Sequence, residues 1–355
     1  MPMNATSKQP LITTIVPTYR RPGLLRRAIA SALGQDGVAL IVSVFDNASG
    51  DDTKEMVLDM AAGDPRLTYH CHERNLGAAA NFEFGLRSVA TPYFSILSDD
   101  DYLLPGFYHR ALDDLARYPE ALFWAGLTLN VDEKGKIWDA RVDRWEREGL
   151  FAPPEGLMAM MHGMAPTWTG IVFRREILDC VGYPDQETLG PSDLDFTLKA
   201  AASGPFVLNK FPSAVFTINS PSFSTTQPLH LFWPGWQKMF LNLEGNPRLD
   251  EHSKAEALAA LHQDAQRMLF RRGANALSSG RYEFARGAAE ALKAQYGKSG
   301  RPLVLRAVAS ACERIPWLQR AYTHAYRAVE RRLVGSRADL QARFGHLVSR
   351  SPREV

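Results

Sequence analysis

Cysteine is scarce in this chain of 355 residues, with thiols only at Cys71, Cys180 and Cys312. No two are close enough in sequence for a C-x-x-C site. An odd, sparse count fits a reducing compartment and argues against both a disulfide framework and a structural zinc. Uninterrupted apolar sequence never reaches the roughly 20 residues a helix needs to cross a bilayer, so the chain reads as soluble or at most attached to a membrane surface. The polar stretch Met1–Pro10 lacks the apolar centre of a signal peptide. A formal net charge of +2 is too small to argue for nucleic acid as a partner. No G-x-G-x-x-G follows the first strand, and no P-loop is found anywhere. A nucleotide held here does not rest its phosphates on a glycine loop.

What is present begins with ordinary globular composition, 45% hydrophobic and 23% charged. The length exceeds what one core usually needs, so a main domain plus an extension is expected. The most pointed feature is Tyr93–Gly106, where the β-formers Phe94, Ile96 and Leu97 deliver Asp99, Asp100 and Asp101 to one point before Pro105-Gly106. Adjacent carboxylates repel and resist desolvation, so water, hydrogen-bond donors or a cation must neutralise them. Mg²⁺ or Mn²⁺ does so with one or two carboxylates, completing its shell with water and phosphate oxygens. The bland alternative is a solvated acidic turn whose Asp caps a helix starting near Pro105.

Upstream, Leu11–Val16 is β-branched and ends at Pro17, which predicts a buried strand. Leu25, Ile29, Ala32 and Leu33 recur at helical spacing until Gly34–Gly37. Ala39–Phe45 predicts a second strand, and Asp51 or Asp52 a cap for a helix bearing Met56, Val57 and Met60. Leu67–His70 gives a third strand, and a helix through Phe84, Leu86 and Val89 leads to the Asp strand. Strand and helix alternating with short connections predict an α/β fold with a mostly parallel sheet. In such sheets ligands bind beyond the carboxyl ends of the strands, where Asp46 and Asp99–Asp101 fall.

Four segments in order, Ile15–Pro22, Val44–Ser49, Asn75-Leu76-Gly77 and Leu97–Asp101, resemble family 2 glycosyltransferases of the GT-A fold over roughly the first hundred residues. The resemblance implies that Pro17, Thr18, Tyr19 and Asp46 recognise base and ribose, that Asp99 faces the nucleotide sugar, and that Asp100 or Asp101 holds the metal on the diphosphate. Many relatives carry Asp where this chain has Ser98, so the D-x-D pattern is met by Asp99 and Asp101. The spacing to Pro105 favours Asp100 as the metal ligand.

Farther on, Phe107–Tyr118 predicts an amphipathic helix, Ala121–Leu127 a strand and Val131–Ile137 a hairpin, with Asp139–Gly149 read as a loop or lid over the acceptor side. Pro166–Leu178 resembles the family's strand into a helix; Trp168 there is a candidate sugar-stacking face, although a lone Trp is more often core. Relatives have Glu-Asp opening the helix at Ser192-Asp193. The resemblance therefore implies Asp193 as the general base of an inverting transfer, against the bland reading of a helix cap. Phe206–Leu208 and Ala214–Ile218 read as closing strands. Asn219–Ser224 lacks the His that relatives often place there, and the Gln-x-x-Arg-Trp sequence of processive synthases is missing, which favours single addition.

The expected layout is a flexible tail (1–10), a GT-A-like domain (11–228) and a helical extension (229–355). Within the extension, His252–Phe270 and Gly273–Tyr282 are similar to one tetratricopeptide unit, which cannot bury its own faces and is expected to pack on the main domain. Arginines from Arg301 to Arg353, interleaved with Leu303, Val304, Ile315 and Trp317, form either a basic face for anionic lipid or a solvated helical bundle. The expected activity is metal-dependent transfer of one sugar from a nucleoside diphosphate sugar, UDP-linked in the leading case, to a hydroxyl acceptor such as a lipid-linked glycan, in the cytoplasm or on the cytoplasmic face of the inner membrane. The rivals are a sugar nucleotidyltransferase, whose glycine-rich, basic first loop is missing, and a non-catalytic carbohydrate-binding scaffold, which Ser98 and Ser192 keep open.

Overall fold

Ile12–Thr18 (β1) is buried along its whole length, as its β-branched sequence requires. A computed structural model describes residues 9–218, 227–297, 300–335 and 338–348. Most of the expected N-terminal tail and the loop Asn219–Ser224 lie outside the described residues. After β1 come α1 (Pro22–Leu33), β2 (Leu40–Asp46), α2 (Thr53–Gly63), β3 (Leu67–Cys71), α3 (Ala78–Arg87) and β4 (Tyr93–Ile96). Pro22 opens α1, where its missing N–H costs nothing. Asp51, through its carboxylate, accepts from the amide and hydroxyl of Thr53 and starts α2.

The chain continues through β5 (Tyr102–Leu103), α4 (Phe107–Arg117), β6 (Phe123–Asp132), β7 (Ile137–Asp139) and β8 (Gly149–Phe151). It then forms α5 (Glu155–Ala159), β9 (Ile171–Arg174), α6 (Ile177–Val181), α7 (Ser192–Ser203) and β10 (Phe206–Ile218). These build a ten-stranded mixed sheet of order β3-β2-β1-β4-β9-β6-β10-β5, with β7 beside β6 and β8 beside β10. The pairings run β1, β2, β3, β4, β6 and β10 in one direction. Their carboxyl ends therefore share one edge, where Thr18, Asp46, the Asp99–Asp101 loop, Asp132 and Ile218 gather.

Period-two alternation splits the core between the two sheet faces. Ile12, Val16, Val44 and Trp124 pack on one side with α1 and α4, while Ile15, Phe94, Phe123 and Phe206 face the other. That second core continues without a break into Trp236 and Phe240 of the helix Leu229–Glu244 and into Leu261 and Leu269 of Glu251–Ser278. The helical extension thus packs directly on the sheet domain. The closing strands expected at Phe206–Leu208 and Ala214–Ile218 are one strand, β10, whose pairing with β6 shifts register around Pro212. A proline cannot donate to the ladder, and the irregularity accommodates it. The expected loop after β7 is tighter than its polar sequence implies, with a 3₁₀ turn at Arg141–Arg144 and with Val142 and Trp145 buried.

Candidate active site

Register brings the motifs together. Thr18 at the end of β1 pairs with Asp46 at the end of β2, and Ile15 pairs with Ile96, so the chain leaving β4 emerges beside Thr18. Thr18, buried, donates its hydroxyl to Oδ2 of Asp99 at 2.8 Å. Arg21 Nη1 lies 3.3 Å from Oδ1 of Asp99 and 3.0 Å from Oδ2 of Asp100. Arg27, reaching from α1, donates to the carbonyl of Asp100 and lies over the Tyr102 ring. Burial raises the Asp99 carboxyl above its ordinary range, and the charge of Asp100 adds to this while Thr18 and Arg21 oppose it. The result is an oxygen-only donor set short of positive charge, which fits a hard divalent ion. Asp99 accepts from Thr18 and faces Arg21, and Asp100 faces the same guanidinium beside it. Among the described residues, no three His, Cys, Asp or Glu groups converge as a prebuilt cage.

Asp101 is fully buried. Its Oδ2 accepts from Thr169 Oγ1 at 2.6 Å and its Oδ1 from the Thr217 amide at 2.8 Å. Burial, with the neighbouring Asp100, pushes this carboxyl well up. Both oxygens are hydrogen-bonded inside the protein, so Asp101, expected as a possible metal ligand, pins the Asp loop to Thr169 and to β10 in this structure.

Asp46 is equally committed. Its Oδ1 accepts from the amide and hydroxyl of Ser49 at 3.0 and 2.6 Å, and its Oδ2 from the Tyr69 hydroxyl at 2.6 Å. Burial and the bond to Asp46 push the Tyr69 phenol upward, which keeps it a donor. Next to it, Asn47 accepts from the Leu76 amide at 2.7 Å and donates to Asn75 Oδ1 at 3.1 Å. The second and third sequence segments are thereby one hydrogen-bonded unit. Pro17 is buried, while Tyr19 is exposed on the rim with the Arg20 guanidinium 5.0 Å from its ring centroid.

Asp193 occupies the first turn of α7. Its side chain is exposed, yet protein crowds it on enough sides that desolvation raises its carboxyl above the ordinary range, opposed by the Leu194 amide and the charge of Arg141. Leu194 N–H donates to Oδ1 at 2.8 Å, which leaves Oδ2 for another partner. Behind it, Thr197 Oγ1 donates to the Asp193 carbonyl at 2.7 Å and receives the indole N–H of Trp168 at 2.9 Å.

Residues 13–182 match the model of the family described as Glycosyl transferase family 2. The chain carries a family 2 glycosyltransferase domain. Among curated relatives, the GalNAc(5)-diNAcBac-PP-undecaprenol beta-1,3-glucosyltransferase of Campylobacter jejuni is 37% identical over 27% of this chain and 32% of its own length. The succinoglycan biosynthesis protein ExoO of Rhizobium meliloti is 33% identical over 36% of this chain and 34% of its own. The matches to these two relatives thus span about a third of their length. In structure, Staphylococcus aureus TarS 1-349, solved in complex with UDP-GlcNAc, superposes with a TM-score of 0.60 at 16% identity, covering 90% of this chain and 92% of that one. At that identity the likeness is one of fold, and it extends through the helical region.

Trp168 of the transferase domain does not offer a sugar platform. It is buried, edge-on to Phe173 and Phe196, and its indole N–H is used on Thr197. The correction follows from packing, since a ring buried among Phe173 and Phe196 and bonded at its polar tip has no free face. Sequence reading passed over Arg21, Arg27, Tyr69, Thr169 and Arg141. The one signal available was the basic pair Arg20-Arg21 immediately after the first strand, of opposite charge to the acidic triplet Asp99–Asp101.

Proposed function

We propose that this protein transfers one sugar from a nucleoside diphosphate sugar, UDP-linked, to a hydroxyl acceptor with inversion at the anomeric carbon. What supports this reading is a link through adjacent residues: Thr169 holds the Asp99–Asp101 loop, and Trp168, through Thr197, holds the first turn of α7 that carries Asp193.

Asp99 and Asp100 would hold Mn²⁺ or Mg²⁺ together with phosphate oxygens of the donor. When bound, the ion supplies positive charge against the departing diphosphate. Thr18 orients Asp99, and Arg21, now shared between the two carboxylates, is positioned to turn toward phosphate when a cation takes its place. Pro17, Tyr19 and the Asp46–Tyr69 unit form the nucleoside side of the cleft. Asp193, with Oδ2 free and a raised affinity for protons, accepts the acceptor hydroxyl's proton as the new bond forms. A lipid-linked glycan is the acceptor class we favour, by analogy with the Campylobacter relative's printed substrate. Among the described residues no helix is long and apolar enough to cross a membrane. The exposed apolar Leu303, Val304, Ile315 and Trp317, in a segment that also exposes Arg301 and Arg314, support contact with anionic lipid.

Thermal melting against UDP, dTDP and GDP, each with and without Mn²⁺, tests the donor assignment, because a ligand bound by the folded state alone raises the melting temperature. Stabilisation by UDP that requires Mn²⁺ is the expected result. Indifference to every nucleotide would remove the donor site.

A further inference from the structure

A cavity of about 620 Å³ lies between β7 and the helix Pro316–Gly335, lined by Lys136, Trp138, Gln319, Arg320, His324 and Arg327. Its size is that of a small-molecule site. Arg320, His324 and Arg327 fall at i, i+4 and i+7 and so present one helical face to it. Among the described residues, none of Lys136, Arg320 and Arg327 is ion-paired, and Glu330 is the one acid on the wall. The Gln319 side chain donates to the Leu277 carbonyl at 2.7 Å, whereas its Oε1 is buried without a partner. The indole N–H of Trp138 is anchored to Asp132 Oδ2 at 2.8 Å, which fixes the ring at the cavity wall.

The cavity stands on the active-site edge of the sheet. Thr217, whose amide holds Asp101, pairs with Val131, and Val131 pairs with Ile137, the residue before Trp138. Two strand spacings, about 10 Å, therefore separate Thr217 from the cavity wall. Three residues past Trp138, Arg141 exerts its charge on Asp193. One short segment thus runs from the cavity to the residue proposed as base.

We infer that this cavity is a distal acceptor subsite for a phosphorylated sugar. The ring stacks on Trp138, and the phosphate sits between Arg320, Arg327 and Lys136. The inference rests on the transferase reading for its role, while the binding itself is separable from it. It accounts for the excess of cationic side chains that line the cavity together with Trp138, and it assigns the helical extension a part in substrate choice.

The test is calorimetric titration of the full chain, saturated with UDP and Mn²⁺, with glucose 1-phosphate, with glucose, and with a short-chain citronellyl diphosphate glucose. Wild type is expected to bind the phosphorylated sugars and to bind glucose at least about tenfold more weakly. Arg320→Gln/Arg327→Gln should weaken the phosphorylated sugars at least about tenfold, and Trp138→Ala about three- to tenfold, with UDP affinity unchanged. Both arginines are exposed, so folding is not at stake. Tighter binding of the citronellyl compound assigns the subsite to a carrier-linked acceptor, and equal binding to a free sugar phosphate; either supports the subsite. Unaltered affinity in the double variant, or no binding of either phosphorylated sugar to wild type, overturns it. Loss of UDP binding with the sugar phosphates still bound would sink the transferase reading alone.

Discussion

Thr169 donates its hydroxyl to Oδ2 of Asp101 at 2.6 Å across 68 residues of sequence, and the bond joins the two halves of the candidate site. On one side of it is the acidic loop after β4. On the other, the neighbouring Trp168 anchors α7 and with it Asp193. Gly170 makes this possible, because a Cβ there would stand 2.2 Å from Thr128 Oγ1, and only glycine lets the turn approach β6 so closely.

Replacing Thr169 by Val keeps the shape and removes the donor, leaving a buried carboxylate oxygen unsatisfied. Denaturant unfolding should show a loss of about 1–3 kcal/mol. The same variant should lower turnover by loosening the loop that carries Asp100. Unchanged stability and turnover would mean that the bond is incidental.

The raised carboxyl of Asp101 has a pH signature with a defined sign. The folded state holds this proton more tightly than the unfolded chain, so the group's contribution to stability falls as pH rises from the ordinary carboxylate range through the raised folded value. Asp101→Asn, which keeps an acceptor for Thr217, should flatten that fall and equal or exceed the wild-type melting temperature at pH 8 without metal. Groups held low, such as Asp64 and Asp132, act in the opposite sense below the ordinary carboxylate range, while His262, held low by burial, gains stability as pH rises through the imidazole range and so opposes Asp101 inside this window. A pH profile of melting temperature that is the same in wild type and variant would contradict the assignment.

Much of the site was legible as local pattern, because each motif is a strand end followed by turn chemistry within ten or so residues. The pairing of β1 with β2 and β4 follows from alternation and short crossovers. What was not legible depends on partners distant in sequence. Asp101 looks like a metal ligand until Thr169 and Thr217 are found, 68 and 116 residues away. Trp168 looks like a platform until Thr197 closes over its polar tip. Arg343 read as part of a basic face, yet it binds Asp143 through two bonds of 2.8 and 2.7 Å across 200 residues, and so ties the last helix, Ala338–Val348, to the segment after β7.

Trp168→Phe separates the two roles considered for that ring. As a core anchor it should lose about 1 kcal/mol of stability with its hydrogen bond to Thr197, and leave the affinity for a UDP-sugar unchanged. A rise in KM for the donor without loss of stability would restore the stacking role.

The pH dependence of kcat/KM should carry an acid limb from Asp193, set above the ordinary carboxylate range because desolvation raises it. Activity is lost as pH falls through that value, since the protonated acid cannot accept the hydroxyl's proton. Removing the positive charge beside it with Arg141→Gln should move the limb to still higher pH. A limb that stays put would place the base elsewhere.

The most direct measurement follows nucleotide release from a UDP-sugar supplied with Mn²⁺ and a glycan acceptor, in wild type and in Asp193→Asn. The proposed chemistry predicts UDP and glycosylated acceptor from wild type, and a rate roughly 10²–10⁴-fold lower from the variant, with UDP affinity preserved. Release of pyrophosphate from a nucleoside triphosphate and sugar phosphate instead, or full activity in Asp193→Asn, would contradict it.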